Sequence, residues 1–383
     1  NNLLYFLADD GVSGNCLWFT DGSAAGTKPV KDREGNFLLG PESLTVYNNK
    51  LFLAASGDKH GTELWICGGT PETTYLLKNI RPDDTAGSYV DKLTVCGDLL
   101  YFSANDGQAE HGINIQLWQT DGTPEGTVRA DIANQADKTI PYCLACAEKQ
   151  LYFFSDSSIY HTGLWKTNGT AGSMTLVKKL KHGLTNEFTN TIAARGNQVF
   201  MLLNGDSSFS IPSEEEGVFI SLQGAELWKS DGTAEGTLLV TGIDTAYGSD
   251  NVYSMNGKLY FLGAYKYGGR LWQSDGTKEG TFPLSLFDET IYQFPFAISE
   301  YEGKVYYFIM NTETKETSLA VTDGKTNTLL NENFFKGNMA GGYHCMYNNM
   351  IVFAGNREVY AMPLSAVEAV SYTHLTLPTN REV

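Results

Sequence analysis

Long apolar runs are missing from this sequence. No stretch approaches about 18 consecutive apolar residues, so none can cross a membrane as a helix. Helical periodicity is missing as well: no segment sustains apolar residues at three- and four-residue spacing, and 40 glycines among 383 residues interrupt nearly every stretch. Very little helix is expected. Positive charge is in deficit, with 27 Lys and Arg against 44 Asp and Glu, a formal charge of −17 and a pI near 4.7. That balance argues against a nucleic-acid partner or an anionic membrane and suits a secreted protein. Cysteine is sparse and lacks the repeat's period. The six are Cys16, Cys67, Cys96, Cys143, Cys146 and Cys345, and the Cys143-Cys146 pair has no second pair at zinc spacing. Cys96 and Cys146 read as core residues equivalent to Tyr47 and Tyr301 at the end of a strand. No metal or cofactor is expected.

Tryptophan, by contrast, is used in one way only. Trp18, Trp65, Trp118, Trp165, Trp228 and Trp272 each follow a leucine and stand just before a turn of the Asp-Gly-Thr type. Their spacings are 47, 53, 47, 63 and 44 residues, and the pattern continues with Ala320 before Asp323-Gly324 and with a degenerate copy at Tyr360. A period of about 40 to 50 residues fits a four-stranded propeller blade or a large helical repeat. The residues choose strands. Each copy carries two β-rich runs joined by a tight turn, as in Leu44 to Tyr47, Asn48-Asn49, Lys50 to Leu53. The Leu-Trp phrase is the third run, and a fourth follows the Asp-Gly turn. Within a unit these are strands A to D.

Adjacent large residues, Leu-Trp in strand C and Leu-Tyr-Phe in strand B, place one apolar side chain on each sheet face. Such sheets need cover on both sides, which radial packing of successive blades supplies. The predicted fold is therefore all-β, a β-propeller of four-stranded antiparallel blades. Eight blades are favoured, the first without strand A and the last without strand D, with seven as the alternative. Residues 1-365 form one repeat domain. Residues 366-383 carry no trace of the repeat and read as a non-native tail, disordered or loosely packed. Asn1 is not an initiating methionine, so a processed protein or part of a longer multidomain chain is expected.

The turn residues Asp21, Asp121, Asn168, Asp231, Asp275 and Asp323 are read as caps on backbone N–H groups, with the following glycine at positive φ. Calcium needs about six to eight oxygens, more than one carboxylate per turn provides. Gly68 and Asn168 replace the aspartate in two copies, so the charge is dispensable. The tryptophans are read as packing between blades. Connections A–B and C–D are tight, whereas B–C and D–A are long and variable and emerge on the opposite face. That variable face is the candidate binding face. It carries His60, His111 and His161 in equivalent B–C connections, read mainly as loop-packing residues and alternatively as ligand contacts. It also carries an insertion, Asn204 to Gly224, with Glu214, Glu215 and Glu216, read as a solvated loop or a recognition loop.

The phrases Gly61 to Trp65 (GTELW), Gly224 to Thr237 (GAELWKSDGTAEGT) and Leu100 to Gly107 (LYFSANDG) resemble the bacterial ELWxxDGT-repeat proteins over about residues 1 to 365. Gly68, Asn168 and Ala320 depart from the pattern. The resemblance implies a secreted or surface-associated bacterial protein, often within a longer chain, and brings no catalytic residue with it. WD-type repeats would need Gly-His before Trp-Asp, and sialidase Asp-boxes place tryptophan after the Asp and Gly. The expected function is a non-catalytic extracellular or cell-surface propeller binding a glycan, peptide or protein through its B–C/D–A face. The alternatives are a hydrolase or lyase acting on polysaccharide with acids near the channel mouth, and a structural spacer in a large adhesin.

Overall fold

A computed structural model describes the chain apart from residues 1–2, 58–60, 83–86, 109–114, 131–139, 157–161, 181–190, 213–218, 244–251, 266–267, 285–291, 312, 336–343, 348–349, 356–357, 364–372 and 376–383. Among the described residues there is no α-helix, only one 3-10 turn at Pro71–Thr73. The strands form antiparallel sheets in sequence order, six of them four-stranded. The first sheet has seven strands because two units join through a single bridge, Cys16 to Leu39. The first unit contributes only strands B, C and D, at Leu4–Ala8, Cys16–Thr20 and Lys28–Pro29. The second contributes A to D at Leu39–Tyr47, Lys50–Ser56, Thr62–Cys67 and Thr74–Lys78. One difference from the sequence reading lies at the far end. Thr373–Leu375 pairs with Glu358–Pro363, so the eighth unit has its fourth strand; the rest of 366–383 lies outside the described residues.

The A–B turns follow from their residues. Asn48 and Asn49 have φ of 48° and 62°, and Asn256 and Gly257 have φ of 52° and 69°, the left-handed pair that lets a two-residue loop match strand twist. Register then fixes the tryptophan. Trp65 lies opposite Leu53, Trp118 opposite Phe102, Trp165 opposite Phe153 and Trp272 opposite Phe261. Phe102 stacks on Trp118 with ring centroids 6.4 Å apart.

By contacts the chain divides into two compact units, Asn1–Gly183 with Gly232–Ala234 and Leu377–Val383, and Leu184–Asp231 with Glu235–Thr376. In the first, Leu64 packs toward the third blade against Leu100, Phe102 and Trp118, while Trp65 packs toward the first blade against Leu17 and Val30. Leu117 likewise meets Leu151, Phe153 and Trp165 of the fourth blade. The second unit repeats the rule: Leu227 joins Leu259, Phe261 and Trp272, and Leu271 joins Val305, Tyr307 and Ala320. The leucine faces the next blade and the tryptophan the previous one. Burying each ring contributes about 2 to 3 kcal/mol.

Candidate functional site

The Asp-Gly-Thr turns are built almost wholly from hydrogen bonds within eight residues. In the third blade Asp121 Oδ1 accepts from the Thr123 amide at 2.9 Å and the Thr123 hydroxyl at 2.7 Å, and that hydroxyl accepts from the Gly126 amide at 2.9 Å. Thr120 Oγ1 accepts from the Gly122 amide and lies 2.8 Å from Thr127 Oγ1. Gly122 has φ of 94°. A side chain on Gly126 would collide with the Asp121 carboxylate, which explains the second glycine of the phrase. Asp21 and Asp275 repeat the arrangement with Ser23 and Thr277. Asp323 accepts from the Lys325 and Thr326 amides, both at 2.8 Å. Asn168 accepts from the Thr170 amide and hydroxyl as an aspartate would, so the turn needs an oxygen and no charge. In the second blade the Thr73 hydroxyl caps the Thr70 amide instead, and its side chain fills the space beside Gly68. Hydrogen bonds from Ser23, Thr123 and Thr277 hold the carboxyls of Asp21, Asp121 and Asp275 below their ordinary range; amides do the same for Asp323.

Sequence reasoning missed a second role for these turns. The residue after tryptophan reaches the turn-glycine carbonyl of the next blade: Gln119 Nε2 donates to Gly169 O at 3.2 Å, Lys166 Nζ to Gly232 O at 2.8 Å, and Lys229 Nζ to Gly276 O at 3.2 Å. Those glycines are tightly covered. A Cβ on Gly169 would clash with the Tyr101 hydroxyl, and one on Gly276 would meet Phe200 at 2.9 Å. The repeated motif is thus a turn and a latch between blades, and this face is occupied by structure.

The cysteine reading is corrected. Cys96 and Cys146 form a disulfide. Strand pairing shows why: Cys96 lies opposite Leu99 and is the last residue of its strand A, but Ala147, opposite Gln150, holds that place in the fourth blade. Cys146 is therefore one residue earlier. Because side chains alternate, that single step turns it to the opposite sheet face, toward Cys96 of the previous blade. Two true equivalents would both face forward and never meet. Cys16 and Cys67 are buried free thiols.

On the B–C/D–A side of the first unit, Glu63 is fully buried. Its carboxylate accepts from the Ile80 amide at 3.0 Å, the Arg81 amide at 3.1 Å and the Ser88 hydroxyl at 2.7 Å, which ties the D–A connection of the second blade to strand C. A buried carboxylate so satisfied is a structural anchor. Only its place before Leu64-Trp65 marked it in the sequence. In the third blade Arg129 pairs with Asp106 at the start of the B–C connection. His60, His111, His161, Glu214, Glu215 and Glu216 all lie outside the described residues. Among the described residues no group of three His, Cys, Asp or Glu is placed to hold a metal ion.

The insertion of the fifth blade, in the second unit, departs from the loop expected of it. Strand B runs through Gln198–Pro212 and strand C through Phe219–Ser230. After an irregularity between Asn204 and Ser208 the pairs continue as Ser208 with Gln223, Phe209 with Leu222, Ser210 with Ser221, Ile211 with Ile220 and Pro212 with Phe219. The pairing makes this part of the insertion a two-stranded ribbon.

No protein-family model matches the chain. No curated protein matches it either. Solved structures do. A prolyl endopeptidase aligns at 14% identity over 87% of this chain and 49% of its own, with a TM-score of 0.56. Prolyl oligopeptidase B from Galerina marginata aligns at 10% identity over 88% of this chain and 50% of its own, with a TM-score of 0.52. An oligogalacturonate lyase in complex with manganese aligns at 10% identity over 92% and 93% of the two chains, with a TM-score of 0.50. The chain spans about half the length of the two peptidases. At these identities the likeness concerns fold alone. The chain is a β-propeller of four-stranded antiparallel blades.

Proposed function

We propose that this propeller is a non-catalytic extracellular or cell-surface binding protein that captures a glycan, peptide or protein through its B–C/D–A face. The ribbon of the fifth blade carries this reading. A two-stranded ribbon by itself is marginal in water, and the continued pairing from Ser208 with Gln223 to Pro212 with Phe219 extends strands B and C on the variable side of the blade, where a ligand can complete it. The sequence between the two strands carries Glu214, Glu215 and Glu216. Extracellular placement is supported by the Cys96–Cys146 disulfide, since such bonds persist in oxidising compartments. The ELWxxDGT phrases support a bacterial protein of the secreted or surface-associated kind.

The test is removal of residues 207–222 with the strands rejoined through Asn-Gly. A glycan array and a pull-down should lose the ligand captured by the parent protein while the melting temperature holds. Retention of that ligand by the shortened protein refutes the reading. The alternative, a hydrolase or lyase acting on polysaccharide, draws support from the oligogalacturonate lyase among the similar structures. Turnover of acidic oligosaccharides that is abolished by Glu214→Gln, Glu215→Gln or Glu216→Gln would replace binding with catalysis.

A further inference from the structure

Tyr89, in the first compact unit, stands in a costly conformation that nothing in the fold repays. It lies near the end of the D–A connection that Glu63 anchors, and its φ is 53°. Strand pairing gives its equivalent one blade earlier. Asp91 lies opposite Ser103 and Glu42 opposite Ala54, so Tyr89 corresponds to Gly40, whose φ is also 53°. A left-handed φ suits glycine and strains a residue as bulky as tyrosine. The backbone on both sides imposes it. The Ser88 amide donates to Thr62 O at 2.8 Å, Ser88 O accepts from the Asn105 amide at 2.7 Å, and Val90 is buried in the core with Phe102. The ring gains no contact in return. It is 45% exposed and makes no hydrogen bond or ring contact among the described residues, and a Cβ built on Gly40 would meet no atom within 4 Å. Two residues on, Asp91 and Lys92 form an ion pair at 3.1 Å with both side chains nearly half exposed. Ser43 Oγ donates to Asp91 Oδ1 at 2.6 Å and fixes that carboxylate, while Lys92 is held at a φ of 60°.

We propose that Tyr89 is the stacking platform of a carbohydrate-binding site, taking the apolar face of a neutral pyranose while Asp91 and Lys92 exchange hydrogen bonds with its hydroxyls. This rests on the reading of the B–C/D–A side as the binding side; it places a ligand contact in the first unit and names the ligand as a glycan. The axial C–H groups of a pyranose carry partial positive charge and pack on the electron-rich face of an aromatic ring. Neighbouring hydroxyls of a sugar need both an acceptor and a donor, which a carboxylate and an ammonium supply together. The charges of Asp91 and Lys92 cancel, so the pair suits an uncharged sugar. A peptide side chain would need an apolar pocket, and Val90, the apolar residue between Tyr89 and Asp91, is buried in the core. Pinning the backbone at Ser88 and Val90 also sets the ring before the ligand arrives, which lowers the ordering cost of binding.

The 383-residue protein is applied to an array of neutral oligosaccharides beside a peptide array, and the strongest oligosaccharide is titrated by calorimetry against the parent and its variants. Tyr89→Gly should weaken binding about tenfold or more, and Tyr89→Phe, which keeps the stacking face, should restore most of that loss. Lys92→Gly should weaken binding as well. Glycine relaxes both positive φ angles, so the melting temperature of each glycine variant should equal or exceed the parent's. A melting temperature lowered by Tyr89→Gly makes the ring structural and overturns the proposal. So does affinity unchanged in either glycine variant, or a parent that binds no oligosaccharide; capture of peptides alone overturns it in favour of a peptide ligand. A glycan lost with Tyr89→Gly but kept when residues 207–222 are removed upholds this site and refutes the ribbon. The reverse pattern overturns this site and leaves the ribbon standing.

Discussion

Replacing Cys96 by serine removes the covalent tie it makes with Cys146 between the third and fourth blades, and the structure sets the size of the effect. The bond closes a loop with a sequence separation of 50. Constraining such a loop lowers the entropy of the unfolded chain enough to stabilise the folded state by about 4 kcal/mol at 25 °C. The first compact unit is close to the size at which each kcal/mol moves the midpoint by about 2 to 4 °C, so the melting temperature should fall by roughly 8 to 16 °C. Calorimetry without reductant reads this directly. Cys146→Ser should give the same value, because either change opens the same loop. Dithiothreitol should bring the parent protein to the mutants' midpoint and leave the mutants where they are. A Cys96→Ser protein melting within about 2 °C of the parent, or one shifted by reductant as far as the parent, refutes the reasoning. Thiol titration of the denatured protein gives a second reading, two fewer thiols before reduction than after.

Trp118→Ala should destabilise by about 3 to 5 kcal/mol, because the ring is buried against Phe102 and fills the seam between the second and third blades; an unchanged denaturant midpoint would remove packing as its role. Tyr307→Phe should stabilise by about 1 kcal/mol in the same assay, since the hydroxyl is fully buried and finds no partner among the described residues. Gly126→Ala should lower the melting temperature by forcing Asp121 out of its cap, and Asp121→Ala in the same chain should add little to that loss. The turn carboxyls also set an acid limb. Their folded pKa values lie below the ordinary value of 3.8, so the stability they contribute is present above that value and is lost as pH falls through the folded values. Asp121→Asn with Asp275→Asn should leave the neutral-pH midpoint near the parent's, as Asn168 already does in its turn, and flatten the decline below about pH 4.

The blade was legible because its determinants are local. Two-residue periodicity sorts Leu64 from Trp65 and Leu117 from Trp118 onto opposite faces wherever a strand is flanked on both sides, and the Asp121 cap closes within six residues. Asn48-Asn49 and Asn256-Gly257 adopt the left-handed pair that their residue types favour. The candidate site was legible only as a face. Its histidines and the Glu214 to Glu216 run stand out by position in the repeat, and the long spacing from Trp165 to Trp228 marks an insertion in a B–C loop; pairing of Phe209 with Leu222 and Ile211 with Ile220 makes part of that insertion strand.

What only the tertiary structure decided are the relations between blades. The Cys96–Cys146 bond depends on a one-residue offset that the repeat does not show, because in sequence both cysteines read as equivalents of Tyr47 and Tyr301 at the end of a strand. The reach of Gln119 and Lys229 to a turn carbonyl some 50 residues away, and the burial of Glu63 under Ile80, Arg81 and Ser88, require segments that are distant in sequence to lie together. Local preference fixes which way a side chain faces along its strand. Which partner it then meets depends on the register between sheets, and that is set only when the blades pack.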